Sequence, residues 1–430
     1  MRPSRILLSL TATVLHILCT AVLSPCPAHA RPRETLTVAL YPYVPEARDL
    51  FSTLAAAFAA THPRVRVELV ERSTEPRSHK ERTLADDYYD GGLLRAEADV
   101  YEVDTVLLAE VVRAGKICPV DLPRRDFLPE ARAAIRLDGK TWGVPHWVCG
   151  NFLFYERGDA AIARARTWPE LVAALQGGGT VLADFTGETT LAEWYLTSLA
   201  AVDGDPAAVA RRLRSPELFP PAVDALRSLL QFCPVALCRR EGAHHQPGAY
   251  ARLFARGQAR AYIGYSETLH DGLQEVRQNC RPTDGCRTPE QIAVRTLPPI
   301  TPQGRPVGWV DALAVSAKLK GKKRQLAQEF IEFATSWDAY ALVLNPQGSV
   351  APRYLLPALA ASPDQSVLKP PLYPDFFEAF GARLVFTAEG LHGRLHDHAG
   401  ALASQLAPGT AIRNAAPGVA GTARGKHRSQ

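Results

Sequence analysis

The tightest constraint on the fold of this chain is a repeated change of period in its apolar residues. Thr35–Leu40 is a short β-branched run closed by Tyr41-Pro42-Tyr43-Val44-Pro45. Phe51, Leu54 and Phe58 then recur at spacings of three and four until His62-Pro63, where proline ends a helix. Val65, Val67 and Leu69 alternate with Arg64, Arg66 and Glu68, the pattern of a half-buried strand. The cycle repeats with a strand at Asp99–Leu107 and a helix from Leu108. After Gly143 it resumes: a strand through Val148–Tyr155, a helix near Trp168–Leu175 and a strand at Thr180–Ala183. Helical patterns cover 188–202 and 219–232, strands Ala259–Tyr265 and Gly308–Ser316, and a last helix starts near Lys322 with Leu326, Phe330 and Phe333 on its stripe. Strands and helices alternating at these intervals predict an α/β fold with a mainly parallel sheet. With 430 residues, 47% hydrophobic and 22% charged, the chain has material for two or three cored domains, and a largely disordered protein is excluded.

The two ends have their own grammar. Arg2 and Arg5 precede an apolar run from Ile6 to Leu23, and Ala28-His29-Ala30 is a small-x-small cleavage site, so residues 1–30 read as a secretory signal peptide. Leu23-Ser24-Pro25 before Cys26 is a poor lipoprotein box, and no other stretch approaches the length that spans a bilayer. The mature protein is expected to be secreted or periplasmic, off the membrane and monomeric. Residues 405–430, rich in Ala, Gly and Pro, are expected to be a disordered basic tail. The net charge of +5 collects at these ends: without Arg2, Arg5, Arg413, Arg424, Lys426 and Arg428 the body carries about −1. Such a body lacks the basic face of a nucleic-acid binder.

Export makes the six mature cysteines informative. Cys233 and Cys238 lie five apart, and Cys280 and Cys286 six apart, each pair suited to a local disulfide. Cys118 and Cys149 either bond to each other or remain free thiols. Phosphate loops, dinucleotide fingerprints, HExxH and GxSxG are absent from the sequence. His392, His396 and His398 lie close together, but with no paired cysteine they read as a solvated helix face rather than a metal site.

The layout over residues 35–404 resembles the type-II periplasmic solute-binding fold, including THPRVRVEL early and LAQEFIEFATSWDAYALVL late. That resemblance implies two α/β lobes around a cleft: 31–148 plus 291–340, and 149–290 plus 341–404, with crossovers near Val148–Asn151 and Cys286–Arg295. Four segments sharpen it: VALYPYVP from Val38, WGVPHWVCGNFLFY from Trp142, YIGYSE from Tyr262 and GWVDAL from Gly308. In this order they resemble thiamine pyridinylase (thiaminase I), a secreted enzyme built on that fold. The chain departs from the pattern at His146 and Trp147, at Gly150 where a threonine is expected, and at Trp309 where a tyrosine is expected.

The residues themselves suit that chemistry. A cysteine thiol is only a few per cent thiolate at neutral pH and needs a base within reach. Cys149 and Glu267 each end a strand feeding the cleft, and a desolvated carboxylate titrates near neutrality. His146, three residues from Cys149 on a strand, points to the other face, and Asp184 and His270 are weaker candidates for the base. Thiamine carries a fixed cation and a flat ring, which call for aromatic faces and carboxylates. Tyr41, Tyr43, Tyr250, Tyr262, Tyr265 and Trp309 supply the first. Asp311 and Glu267 supply the second, with one acid from Asp87, Asp99 or Asp104, of which Asp99 is placed in the site. The resemblance implies that Asp311 binds the aminopyrimidine, and that the acceptor is a small nucleophile such as pyridine, an aniline or a thiol. No metal or organic cofactor is required. The alternative is a non-catalytic binding protein for uptake of thiamine or a related pyrimidine, with a secreted cysteine hydrolase as a third reading.

Overall fold

The computed structural model describes residues 34–41, 44–70, 88–238, 246, 248–281, 283–360, 366–381, 383–387 and 390–407. The expected signal peptide, Tyr43, Asp87 and the tail beyond 407 lie outside these residues.

Among the described residues, twelve strands form two main sheets and a small hairpin: β1 Glu34–Ala39, β2 Val65–Leu69, β3 Val100–Asp104, β4 Arg136–Leu137, β5 Lys140–Thr141, β6 Val144–Cys149, β7 Phe152–Glu156, β8 Val181–Leu182, β9 Ala261–Gly264, β10 Ile292–Thr296, β11 Trp309–Val315 and β12 Leu356–Pro357. The larger sheet has the order β12-β6-β11-β3-β1-β2 and the smaller β10-β7-β9-β8. Each is the centre of one α/β lobe. Helix Ala47–Thr61 buries Leu50, Phe51, Leu54 and Phe58 and packs beside β2 in the first lobe. Phe58 stands edge-on to Phe330 of helix Gly321–Ala334, closing the core on that side. In the second lobe, helix Glu188–Val202 is buried on nearly every face, covered by helices Pro220–Leu230 and Leu391–Gln405. That cover places His398 in the core, 3.2 Å from the Leu213 carbonyl, and stacks His392 on Tyr89, so these histidines are not a solvated face.

Four expectations change. The sheets are mixed rather than mainly parallel: β1 runs parallel to β2 and β3, but β11 is antiparallel to β3 and β6, and β7 to β9 and β10. Parallel pairs come from crossover helices within one lobe, whereas β6, β7, β10 and β11 flank the passages between lobes and escape that rule. The apolar run Val148–Tyr155 is two strands, because the passage at 150–151 lies between β6 in the large sheet and β7 in the small one. The second passage falls after Thr296, since β10 pairs with β7 along its length, and 341–357 stay with the large sheet through β12. The lobe boundaries drawn at 291 and 340 are therefore displaced. The helix Leu391–Gln405 also continues to the residue where the tail was expected to begin.

Cys233 bonds Cys238 and Cys280 bonds Cys286, each closing a local loop. Cys118 and Cys149 are free. Ile117 bridges to Ser316, beyond the end of β11, whereas Cys149 lies opposite Trp309 at its start. About 20 Å of strand separates those points, too far for a bond between the two thiols.

Candidate active site

Strand register builds the floor of the site. Asp311 of β11 lies between Asp104 of β3 and Trp147 of β6, and Trp309 lies opposite Cys149 one row further along. Side chains two apart share a strand face, so Trp147 and Cys149, and Trp309 and Asp311, look the same way. They look into a cavity of about 420 Å³ between the lobes, whose far wall comes from the small sheet and its helices. Tyr262 and Gly264 of β9, followed by Tyr265 and Glu267, face Cys149 from that side. β9 ends there because Glu267 starts the helix Thr268–Asn279. Cys149 and Glu267 thus line one cavity from opposite lobes.

Tyr41, Tyr250, Tyr262, Tyr265, Trp309 and Asp311 also line it. Tyr41 stands edge-on to Tyr88, and its hydroxyl lies 3.0 Å from that of Tyr89, which donates to Asp104 Oδ2 at 2.6 Å. Tyr262 stacks on Phe154 and shares a 2.8 Å hydrogen bond with Thr268 Oγ1. The Tyr250 hydroxyl donates to the Leu237 carbonyl, and that of Tyr265 to Glu193.

Asp99 is not in the site. Its Oδ2 accepts from Thr37 N at 2.8 Å and Thr37 Oγ1 at 2.9 Å and pairs with Lys323 at 2.8 Å, at the opposite end of β3 from the cavity. Asp104 holds the place instead. The separating signal is directional: β1 and β3 run parallel, and ligands bind beyond the carboxyl ends of such strands, which is where Asp104 and Tyr41 fall. Tyr89, Trp147, Glu193 and Trp194 line the cavity without having been read as site residues. Trp147 was findable as the residue two before Cys149; Glu193 and Trp194 sit in a helix that reads simply as core. His270 lines the wall, but its Nδ1 is 3.0 Å from the Ala351 carbonyl, which fixes the ring.

Seven acidic residues line the cavity, Glu46, Asp184 and Asp271 in addition to those named, and among the described lining residues there is no Lys or Arg. Burial pushes the Glu267 carboxyl up to about 7, partly opposed by hydrogen bonds from its own backbone and from Ser266. Burial also raises Asp104, to about 6 despite bonds from Tyr89 and the Val106 N–H. Asp311 is pushed well up by burial and by Asp104, Glu102 and Glu267. Facing carboxyls disfavour one another's charge, so burial and its acidic neighbours together hold Asp311 toward its protonated form. The Cys149 thiol is raised by burial and then by Asp311, Glu267, Asp104 and Glu193. Beneath the floor, Glu102 Oε1 lies 2.7 Å from His146 Nδ1 while Oε2 accepts the Tyr41 N–H at 2.8 Å. That buried pair explains where His146 goes when it turns from the cavity. Among the described residues no cluster of His, Cys, Asp and Glu is set to hold a metal ion.

Two α/β lobes exchanging strands, with a deep aromatic and acidic cleft at their junction, define a solute-binding architecture. The chain belongs to the bacterial extracellular solute-binding protein family, whose model matches residues 53–367. It is 26% identical over 378 residues to Thiaminase-1 of Paenibacillus thiaminolyticus, covering 80% of this chain and 82% of that one. In structure it is similar to Clostridium botulinum thiaminase I in complex with thiamin, with a TM-score of 0.69, 20% identity and coverage of 86% and 99% of the two chains. Maltose-bound MalE3 of T. maritima is similar as well, with a TM-score of 0.60, 17% identity and coverage of 87% and 94%. No helix among the described residues is long and apolar enough to cross a membrane.

Proposed function

We propose that the protein is a secreted transferase of the thiaminase I type, which replaces the thiazole of thiamine with a small organic base or thiol. The observation that carries this reading is the meeting of Cys149 from one lobe and Glu267 from the other on the wall of one cavity. The likeness to Thiaminase-1 over 80% of the chain, and to a thiaminase I solved with thiamin, supports it. So does the charge of the cleft, which suits a thiazolium far better than an anion.

Glu267, pushed up to about 7, is matched to taking and returning one proton at neutral pH. Burial and the acids around it oppose the Cys149 thiolate on their own. A thiazolium seated among those carboxylates cancels part of their field, so substrate binding itself favours the ionised thiol. In the reaction, Glu267 takes the Sγ proton and the thiolate bonds to C6 of the pyrimidine. The electron pair displaced into the ring gathers on a ring nitrogen, where protonated Asp311 donates a hydrogen bond. That pair then expels the thiazole, which leaves as a neutral base with the electrons of its bond to the methylene carbon. The acceptor's lone pair bonds to the methylene, the S–C6 bond breaks, and Glu267 returns the proton to sulfur. With pyridine as acceptor the product keeps the single positive charge of thiamine, so charge and protons balance. Tyr41, Tyr250, Tyr262, Tyr265 and Trp309 supply the faces that hold the two ring systems.

The reading is tested by thiazole release with aniline as acceptor. Cys149→Ser and Glu267→Gln are expected to bind thiamine by calorimetry, while turnover falls by about a thousandfold or more. Turnover retained in Cys149→Ser places the chemistry elsewhere. Binding without thiazole release in the unaltered protein leaves a receptor, which needs the aromatic walls but not the paired thiol and carboxylate.

A further inference from the structure

Arg383 is the buried charge that this chemistry does not use. Only 2% of it is exposed, it has no carboxylate within 4.0 Å among the described residues, and its Nε finds no hydrogen-bond partner. A guanidinium so placed is costly unless something retains it. Its remaining contacts lie on the two passages between the lobes. Nη1 donates to the Val307 carbonyl at 2.8 Å, just before β11, and Nη2 to the Asn151 carbonyl at 3.3 Å, between β6 and β7. The plane rests on Phe152 at 4.6 Å and Phe380 at 5.0 Å. The residue after Cys149 makes room for it: a Cβ on Gly150 would stand 2.5 Å from Nη1 and 2.8 Å from the Val307 oxygen. Gly308, on the second passage, would bring a Cβ to 3.1 Å from the Arg383 Cβ. Glycine at 150 thus accompanies an arginine in the hinge.

We infer that Arg383 is a positioning residue for Cys149: it ties both passages together and holds a fixed positive charge behind the thiol, opposing the acids in front. Burial pushes the Arg383 guanidinium down to about 10, and Cys149 and the Tyr265 hydroxyl are the groups that pull it back up. Facing Cys149 from the cavity are Asp104, Asp311, Glu193 and Glu267, with the hydroxyls of Tyr41 and Tyr265. Arg383, whose guanidinium reaches the Asn151 carbonyl two residues beyond the thiol, is a cation placed to answer them. This rests on the reading of Cys149 as nucleophile, yet its test reads the thiol without turnover.

The test is the pH dependence of iodoacetamide alkylation at Cys149, followed by peptide mass spectrometry on the native full-length protein, with Cys118 as internal reference. Arg383→Met is expected to move the Cys149 midpoint upward by about one pH unit, slowing alkylation at pH 7 about tenfold, and to leave Cys118 unchanged. Arg383→Lys keeps the charge without the fork, so it is expected to retain most of the Cys149 midpoint while thermal stability drops. Gly150→Ala keeps the arginine but displaces its guanidinium, and is expected to shift the midpoint in the same direction as Arg383→Met. Folded Arg383→Met with an unmoved Cys149 midpoint overturns the inference and leaves a structural clamp. If Arg383→Met does not fold, an unmoved midpoint in Gly150→Ala overturns it equally. Failure of thiazole release in the unaltered protein, with these shifts intact, would instead count against the transferase reading alone.

Discussion

Glu267 shows how a single residue is tuned by where its strand ends. It follows β9 by three positions, at the start of a helix, so its carboxyl points into the cleft instead of water. Its proton affinity is raised to about 7 in the folded chain against an ordinary 4.5. A raised carboxyl stabilises the fold fully below its unfolded value, and that contribution is lost as pH climbs through the folded one. Between about pH 4.5 and 7 the protein is therefore expected to lose up to about 3 kcal/mol on account of Glu267. Glu267→Gln lacks this slope: urea unfolding is expected to find it equal to the parent near pH 4.5 and more stable at pH 8. Equal stability at pH 8 would mean that Glu267 is solvated. The residue types of this site were legible in the sequence because thiol, carboxylate and aromatics stand in four short segments. Asp99 and Asp104 were not separable by type, since both are acids flanking one strand, and only the direction of β3 distinguishes them.

At the scale of the element, the site is a matter of register. β3 and β11 are buried along their whole length yet carry Glu102, Asp104 and Asp311, and the antiparallel pairing Asp104 to Asp311 brings two acids face to face. The alternation of β2 and the stripes of the helices were readable from period alone. The insertion of β11 between β3 and β6 was not, because a fully buried strand has no polar face to announce its neighbours. β10 and β12 were misassigned for a related reason: five and two residues are too few for a lobe to be read from their pattern. The register makes a paired prediction. Asp104→Asn is expected to weaken thiamine binding about tenfold at pH 8 with no loss of stability, since the buried group no longer has to ionise there. Asp99→Asn is expected to leave binding unchanged but cost about 1–3 kcal/mol, since it breaks the bonds to Thr37 and the ion pair with Lys323. The reverse pattern in calorimetry and urea unfolding would place the wrong end of β3 in the cleft.

For the whole molecule, the two passages do more than join lobes. One delivers Cys149 and turns at Gly150; the other leads into Trp309 and Asp311; Arg383 bonds the backbone of both. On the proposed reading, the solute-binding frame holds a flat cation and the thiol at the first passage turns that binding into chemistry. The two-lobed plan was legible from the alternation of elements and from the segments resembling a known family, while the path between lobes had to be seen. Intact-mass spectrometry after incubation with thiamine and no acceptor tests the central claim most directly. The account predicts a mass gain equal to the pyrimidine moiety, mapped by peptide analysis to Cys149 and absent in Cys149→Ser. An unmodified Cys149 in protein that binds thiamine and still releases thiazole, or a gain mapped to Cys118, contradicts it.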